Sequence, residues 1–306
     1  MLNNATGAGL TLDASGYYLV ANDNLEGFEM RKYDHSHSII GSFGTQGELA
    51  VHEGGHALWI DDLLGDGTDI YLVGRRTATA TSDAAWYLER RAGATGALVG
   101  GFGASGALLV DQITGAGDEG AFRAAIDGAA LFVLGQCDGS WRVEKRALSD
   151  GAPVPGFATG GVLKLTDPGQ TLAIHQDTLY LLLRGPGDTR LQAHDASSGD
   201  WLWTVASPMA EPEAIAVDGS GVYIGGGKDQ AWHLERRERA GGTLVWAQTG
   251  LRDRTPARLT TMELDGTHWI HAAGHQTHDG DQDWYVERRS IHDGFRYTHF
   301  PGYPLE

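Results

Sequence analysis

AWYLERR at residues 85–91 returns as SWRVEKR at 140–146, AWHLERR at 231–237 and DWYVERR at 283–289. Two looser copies, GFEMRKY at 27–33 and DTRLQAH at 188–194, fill the gaps. Their anchor positions are Phe28, Trp86, Trp141, Thr189, Trp232 and Trp284, at intervals of 58, 55, 48, 43 and 52 residues. Six units of that length are the spacing of propeller blades with four strands each.

Outward from each anchor the rest of the unit recurs. An apolar run precedes it: YYLVA, IYLVG, ALFVLG, LYLLL, VYIGG and WIHAAG. Before that lies another run ending in a turn, as in LWIDDLLGDG and AIAVDGSG. A fourth run follows the anchor: SIIGSFG, ALVGGFG, PVPGFATG, WLWTVA, TLVWAQTG and FRYTHF. These runs are short, rich in β-branched and aromatic residues, and bounded by Asp-Gly, Gly-Ser or Gly-Gly. Each unit therefore reads as four antiparallel strands, a to d. Arranged radially, six such sheets bury both faces and leave only short edges. The expected fold is all-β, a six-bladed β-propeller over residues 1–306, with blades near 9–47, 57–105, 121–165, 170–206, 212–249 and 257–300.

Residues 211–242, EPEAIAVDGSGVYIGGGKDQAWHLERRERAGG, resemble the NHL repeat and related bacterial propeller repeats. The shared pattern is proline, an apolar pair, Val-Asp, a turn, an apolar strand, then a c strand ending near glycine. The c strand departs from it, with Trp-x-(Leu/Val)-Glu-(Arg/Lys)-Arg in place of the usual polar pattern. The resemblance implies an interaction scaffold, with a few enzymes among related six-bladed folds.

Composition narrows the partners. The net charge is −17, from 40 acidic and 23 basic residues. Such a surface repels phosphate backbones, which argues against nucleic acid. No run of 18 apolar residues occurs, so no membrane span is expected. The single cysteine, Cys137, cannot form an internal disulfide and reads as a buried inert thiol. The first residues carry no signal-peptide pattern. The chain reads as cytoplasmic or as a trimmed mature chain, and the extracytoplasmic reading is preferred.

What recurs is framework, because a unique site needs only one copy. Trp86, Trp141, Trp232 and Trp284, with Glu89 and Arg91, Glu144 and Arg146, Glu235 and Arg237, Glu287 and Arg289, are assigned to the scaffold. The two-residue spacing places each Glu and Arg on one strand face, and ion pairs between blades are expected. What varies is the rim formed by the b–c and d–a connections, where Arg75, Arg76, Asp111, Asp118, Glu119, Arg252 and Arg254 make the candidate binding face. Blade six is rich in histidine. His275, His278, Asp279 and Asp281 are the candidate metal ligands, and Ca²⁺ is the ion whose oxygen ligands such a loop would supply. No cofactor is otherwise predicted. His52-Glu-Gly-Gly-His56 matches a zinc-protease spacing, but two glycines oppose the helix that chemistry needs. The preferred function is a non-catalytic recognition or assembly module for a protein or glycan. The alternative is a metal-dependent hydrolase or lyase with its site at the mouth of a central channel.

Overall fold

The computed structural model describes residues 6–23, 26–80, 83–116, 119–250, 257–278 and 281–297. Among them there is no helix, hence none long and apolar enough to cross a membrane. The strands form six sheets of four antiparallel strands, each in sequence order: a six-bladed β-propeller. Two compact units divide the chain at residues 166 and 167.

The first unit holds three blades. Blade one comprises β1 (Thr6–Asp13), β2 (Gly16–Asn22), β3 (Phe28–Tyr33) and β4 (Glu48–Val51). Blade two comprises β5 (His56–Gly65), β6 (Asp69–Ala78), β7 (Asp83–Ala92) and β8 (Ala107–Ala116). Blade three comprises β9 (Gly120–Asp127), β10 (Ala130–Cys137), β11 (Ser140–Ala147) and β12 (Val162–Lys164). The second unit holds blade four, with β13 (Gly169–His175), β14 (Thr178–Arg184), β15 (Thr189–Asp195) and β16 (Trp201–Ser207). Blade five has β17 (Glu211–Val217), β18 (Val222–Lys228), β19 (Ala231–Arg237) and β20 (Leu244–Thr249). Blade six has β21 (Ala257–Leu264), β22 (Trp269–His278), β23 (Asp281–Ser290) and β24 (Arg296–Tyr297).

Turn chemistry sets the strand ends. Asp13, Asp66, Asp218 and Asp265 each accept two or more backbone N–H groups just downstream, closing the a–b turn at 2.6–3.0 Å. The b–c turns Asp138-Gly139 and Asp229-Gln230 place both central residues at positive φ, the geometry of a two-residue hairpin turn.

Every first strand carries a β-bulge at the same place, and the bulged residues are Ala8, Asp61, Phe122, Gln170, Glu213 and Thr260. The bulge explains the glycine that ends four of the apolar b runs. A methyl group on Gly74, Gly135, Gly226 or Gly274 would lie 2.0–2.3 Å from a carbonyl oxygen of the bulged strand, so no side chain fits. In two of the four the same glycine admits a tryptophan. Trp86 of blade two reaches Gly135 of blade three, and Trp232 of blade five reaches Gly274 of blade six. Trp86 also donates its indole N–H to the Gln136 carbonyl at 2.7 Å.

Two expectations need correction. In the first unit the fourth strands are not SIIGSFG, ALVGGFG and PVPGFATG. Those segments are turns, and the strands are β4, β8 and β12, one step downstream. Each turn plugs the core with a fully buried phenylalanine: Phe43, Phe102 or Phe157, edge-on to Tyr18, Tyr71 or Phe132. In the second unit the fourth strand follows the c strand directly, and a tryptophan takes the place of the phenylalanine, with Trp203 on Tyr180 and Trp246 on Tyr223.

The Glu/Arg pairs also differ from expectation, for each ion pair lies within one c strand. Arg146 meets Glu144 at 2.5 Å and Arg237 meets Glu235 at 2.6 Å, and Arg91 with Glu89 and Arg289 with Glu287 repeat the contact. Each arginine then donates to the glycine carbonyl five residues on, Gly96, Gly151, Gly242 or Gly294, at 2.7–3.0 Å. The pair thus locks the c–d turn of its own blade. The neighbouring base, which points to the other face, makes the crossing to the next blade. Lys32 donates to Gly93, Arg90 to Leu148 and Arg236 to Ile291, at 2.8–3.2 Å. The same bases stack over the aromatic ring of the b strand: Lys32 on Tyr18, Arg90 on Tyr71, Arg236 on Tyr223. Trp284 departs from the buried pattern at 85% exposed.

Candidate functional site

The framework engages most of the charge on the c strands, so a site must be sought where polar groups are left over. In the second unit a cleft of about 240 Å³ opens between blades five and six. Its walls are Glu211 at the start of β17, Lys228 to Gln230 in the b–c turn of blade five, Arg258 at the start of β21 and His275 on β22. These positions are the b–c and d–a rim. The Gln230 carbonyl accepts the Ala257 N–H at 3.0 Å, which holds the two blades together at the cleft floor. Arg258 pairs with Glu213, the bulged residue of β17, through its Nε at 2.9 Å. Glu211, Lys228 and His275 make no side-chain bond to another described residue. The cleft therefore presents a carboxylate, an ammonium and an imidazole, with a guanidinium held beside them. Such a set donates and accepts hydrogen bonds.

A hydroxyl–imidazole–carboxylate line does occur nearby. Thr249 Oγ1 lies 3.1 Å from His233 Nδ1, and His233 Nε2 lies 3.0 Å from Glu235. The line is framework. Tyr87 and Arg142 occupy the same slot as His233 and bond Glu89 and Glu144 in the same way. Burial raises the Glu235 carboxyl, but the bonds from His233, Arg237 and Ser207 outweigh it and hold it below the ordinary range.

The residues singled out on the rim have mixed fates. Arg76 is tied to Glu53 at 2.6 Å and to His56 at 3.1 Å. His52 meets Asp23 at 2.6 Å, so the two histidines of the 52–56 segment flank a turn with separate partners. Glu119 is buried and accepts the Asp138 N–H at 2.7 Å, so it braces the b–c turn of blade three. Asp111 lies on β8; its side chain, like Asp118, Arg252 and Arg254, falls outside the described residues. Of the metal set, His275 lines the cleft, Asp279 falls outside the described residues, and so do the side chains of His278 and Asp281. Among the described residues no three His, Cys, Asp or Glu side chains converge on a metal position.

Arg75 leads to a second locality, in the first unit, that sequence reading missed. It lies over the indole of Trp59 at 5.7 Å, with its guanidinium 3.9 Å from Asp61, the bulged residue of β5. Burial pushes the Asp61 carboxyl up to about 6; Arg75 and Arg123 pull it back only in part. Its neighbour Asp62 is engaged, accepting N–H from Leu63 at 2.9 Å and from Ala124 of blade three at 2.8 Å. The signal in the sequence was the doubled aspartate of LWIDDLLGDG, which breaks strand alternation where a bulge turns one side chain aside.

No family model matches the chain, and no curated protein matches it. Solved structures do. A protein assigned as a 6-phosphogluconolactonase from Bacteroides fragilis is similar with TM-score 0.57 at 13% identity, over 95% of this chain and 82% of its own. The Dos1 propeller gives 0.53 at 11% identity, over 93% and 80%. The computationally designed Ika8 protein gives 0.54 at 9% identity, over 91% and 70%. One likeness is to an assigned enzyme, one to a designed protein and one to a propeller; at these identities what they share with this chain is the fold alone.

Proposed function

We propose that this propeller is a non-catalytic recognition or assembly module that binds a protein or glycan through its b–c and d–a rim. The observation that carries the reading is the cleft between blades five and six. There Glu211, Lys228 and His275 stand without side-chain partners among the described residues, whereas the repeated Glu and Arg residues are engaged within the blades. Variable polar groups on a stiff repeated frame are the arrangement of a recognition surface.

The test is a paired peptide and glycan array probed with the wild-type chain and with the Lys228→Glu/Arg258→Glu variant. Bound features of the wild type should fade by tenfold or more in the variant, about 1.4 kcal/mol, with the circular dichroism spectrum unchanged. Equal binding by both proteins would refute the rim reading. Elemental analysis with a hydrolase substrate screen addresses the alternative. Stoichiometric metal together with turnover would replace the module by a metal-dependent hydrolase or lyase.

A further inference from the structure

The ion pair of Asp61 and Arg75 is held open. Their closest approach is 3.9 Å, beyond hydrogen-bond reach. Asp61 Oδ2 is buried and accepts no hydrogen bond. Arg75 is a third exposed, at 36%, and its guanidinium donates no hydrogen bond to another described residue. Trp59 adjoins both. Its ring lies under the guanidinium at 5.7 Å, and its side chain hydrogen-bonds the Asp61 carboxylate. A buried carboxylate oxygen without a donor is uncommon and calls for an explanation.

The chemistry of the gap selects its occupant. A cation would suit Asp61 but meet Arg75, and an anion the reverse. A hydroxyl suits both, because it donates to one oxygen and accepts from one N–H. Hydrogen bonds to a hydroxyl run to about 2.7–3.0 Å, so one hydroxyl reaches both groups once Arg75, a third exposed, swings off the buried Asp61 oxygen. Beside it the indole of Trp59, 37% exposed, offers a flat apolar surface for the C–H face of a pyranose ring.

We infer that Trp59, Asp61 and Arg75 form a subsite for a neutral saccharide, in which one sugar hydroxyl bridges Asp61 Oδ2 and the Arg75 guanidinium while the ring lies on Trp59. The subsite belongs to blade two, in the first unit, and shares no residue with the cleft of the second unit; it rests on the recognition reading only in being a binding site. Asp62 and Arg123 support it from behind. Arg123 donates to the Asp61 carbonyl at 3.2 Å and to its own neighbour Phe122 at 2.7 Å, fixing the bulge that aims Asp61.

The experiment is calorimetric titration of the full chain with cellohexaose, laminarihexaose, mannohexaose and chitohexaose. At least one should bind, and Asp61→Asn and Trp59→Ala should each weaken it by tenfold or more. Lys164→Glu, an exposed change on β12, should leave that affinity unchanged. Both blade-two variants should keep the wild-type circular dichroism spectrum, since one removes a buried charge and the other a partly exposed ring. Binding by none of the four sugars overturns the inference. So does binding that survives both blade-two variants; if that same binding is lost in Lys228→Glu, the cleft reading stands while this one falls.

Discussion

Asp61 shows how a bulge creates an exception. Strand alternation would send successive side chains of β5 to opposite faces, yet the extra residue turns Asp61 aside into a partly closed space with 18% of its side chain exposed. Burial pushes its carboxyl up to about 6 from an ordinary value near 3.8; Arg75, Arg123 and the bond from Trp59 oppose the rise, and Asp62 adds to it. A carboxyl whose folded value lies above its unfolded one costs stability when ionised. Below pH 4 the acid is protonated in both states and costs nothing. The cost grows between pH 4 and 6 and is constant above, at no more than about 3 kcal/mol. Asp61→Asn should therefore stabilise the fold at pH 7 to 8 by up to that amount, and the gain should vanish near pH 4. Urea titrations at the two pH values measure it. A variant less stable than wild type at pH 8 would mean that the carboxylate, once ionised, is better solvated than its burial implies.

Blade four shows what the recurring element requires. Its c strand carries Gln192 and His194 in the slots of Glu and Arg, yet keeps the same turn lock: His194 Nδ1 lies 3.1 Å from the carbonyl of Gly199, five residues on. Its other nitrogen lies 3.3 Å from the Gln192 amide. A buried neutral imidazole, its titration pushed down by desolvation, thus stands in for a buried ion pair. His194→Arg alone places a guanidinium there without its carboxylate and should cost about 3–5 kcal/mol. Adding Gln192→Glu should recover much of the loss, with a coupling of about 1–3 kcal/mol in a double-mutant cycle. Purely additive variants would show that this blade lacks the space for the lock. The lock also marks how far the sequence could be read. Six anchors, the a, b and c strands and the tight turns were legible, because period and turn chemistry act locally. The fourth strands of the first unit were not: GFG segments have strand-like composition, and only the aromatic partners Tyr18, Tyr71 and Phe132 make them core plugs. The cleft was legible as a rim but not by residue, since whether Lys228 is engaged and Glu119 buried depends on neighbours remote in sequence. The Asp61 locality was signalled only by the Asp-Asp doublet, and the doublet alone does not say which aspartate is turned aside, because a bulge is a property of two strands.

The whole molecule carries −17 charges, and that excess acts on stability separately from the framework pairs. Pairs such as Arg146 with Glu144 and Arg237 with Glu235 are buried, and bulk salt screens them little. The aspartates of the turns, among them Asp34, Asp195 and Asp293, accept N–H or O–H bonds but keep their charge, and hydrogen bonding holds each below the ordinary carboxylate range. Below neutral pH they stay ionised, so the surface remains a field of like charges whose mutual repulsion opposes the compact state. Screening that field relieves the repulsion, and the Debye length falls from about 30 Å at 0.01 M salt to about 10 Å at 0.1 M. The thermal midpoint at pH 7 should therefore rise with sodium chloride, steeply up to about 0.1 M and shallowly beyond it. Potassium chloride should act alike, because screening depends on ionic strength and not on ion identity. Scanning calorimetry across the series decides the matter. A midpoint that falls with salt would mean that attractive surface pairs such as Arg31 with Glu48 and Arg258 with Glu213 outweigh the net excess.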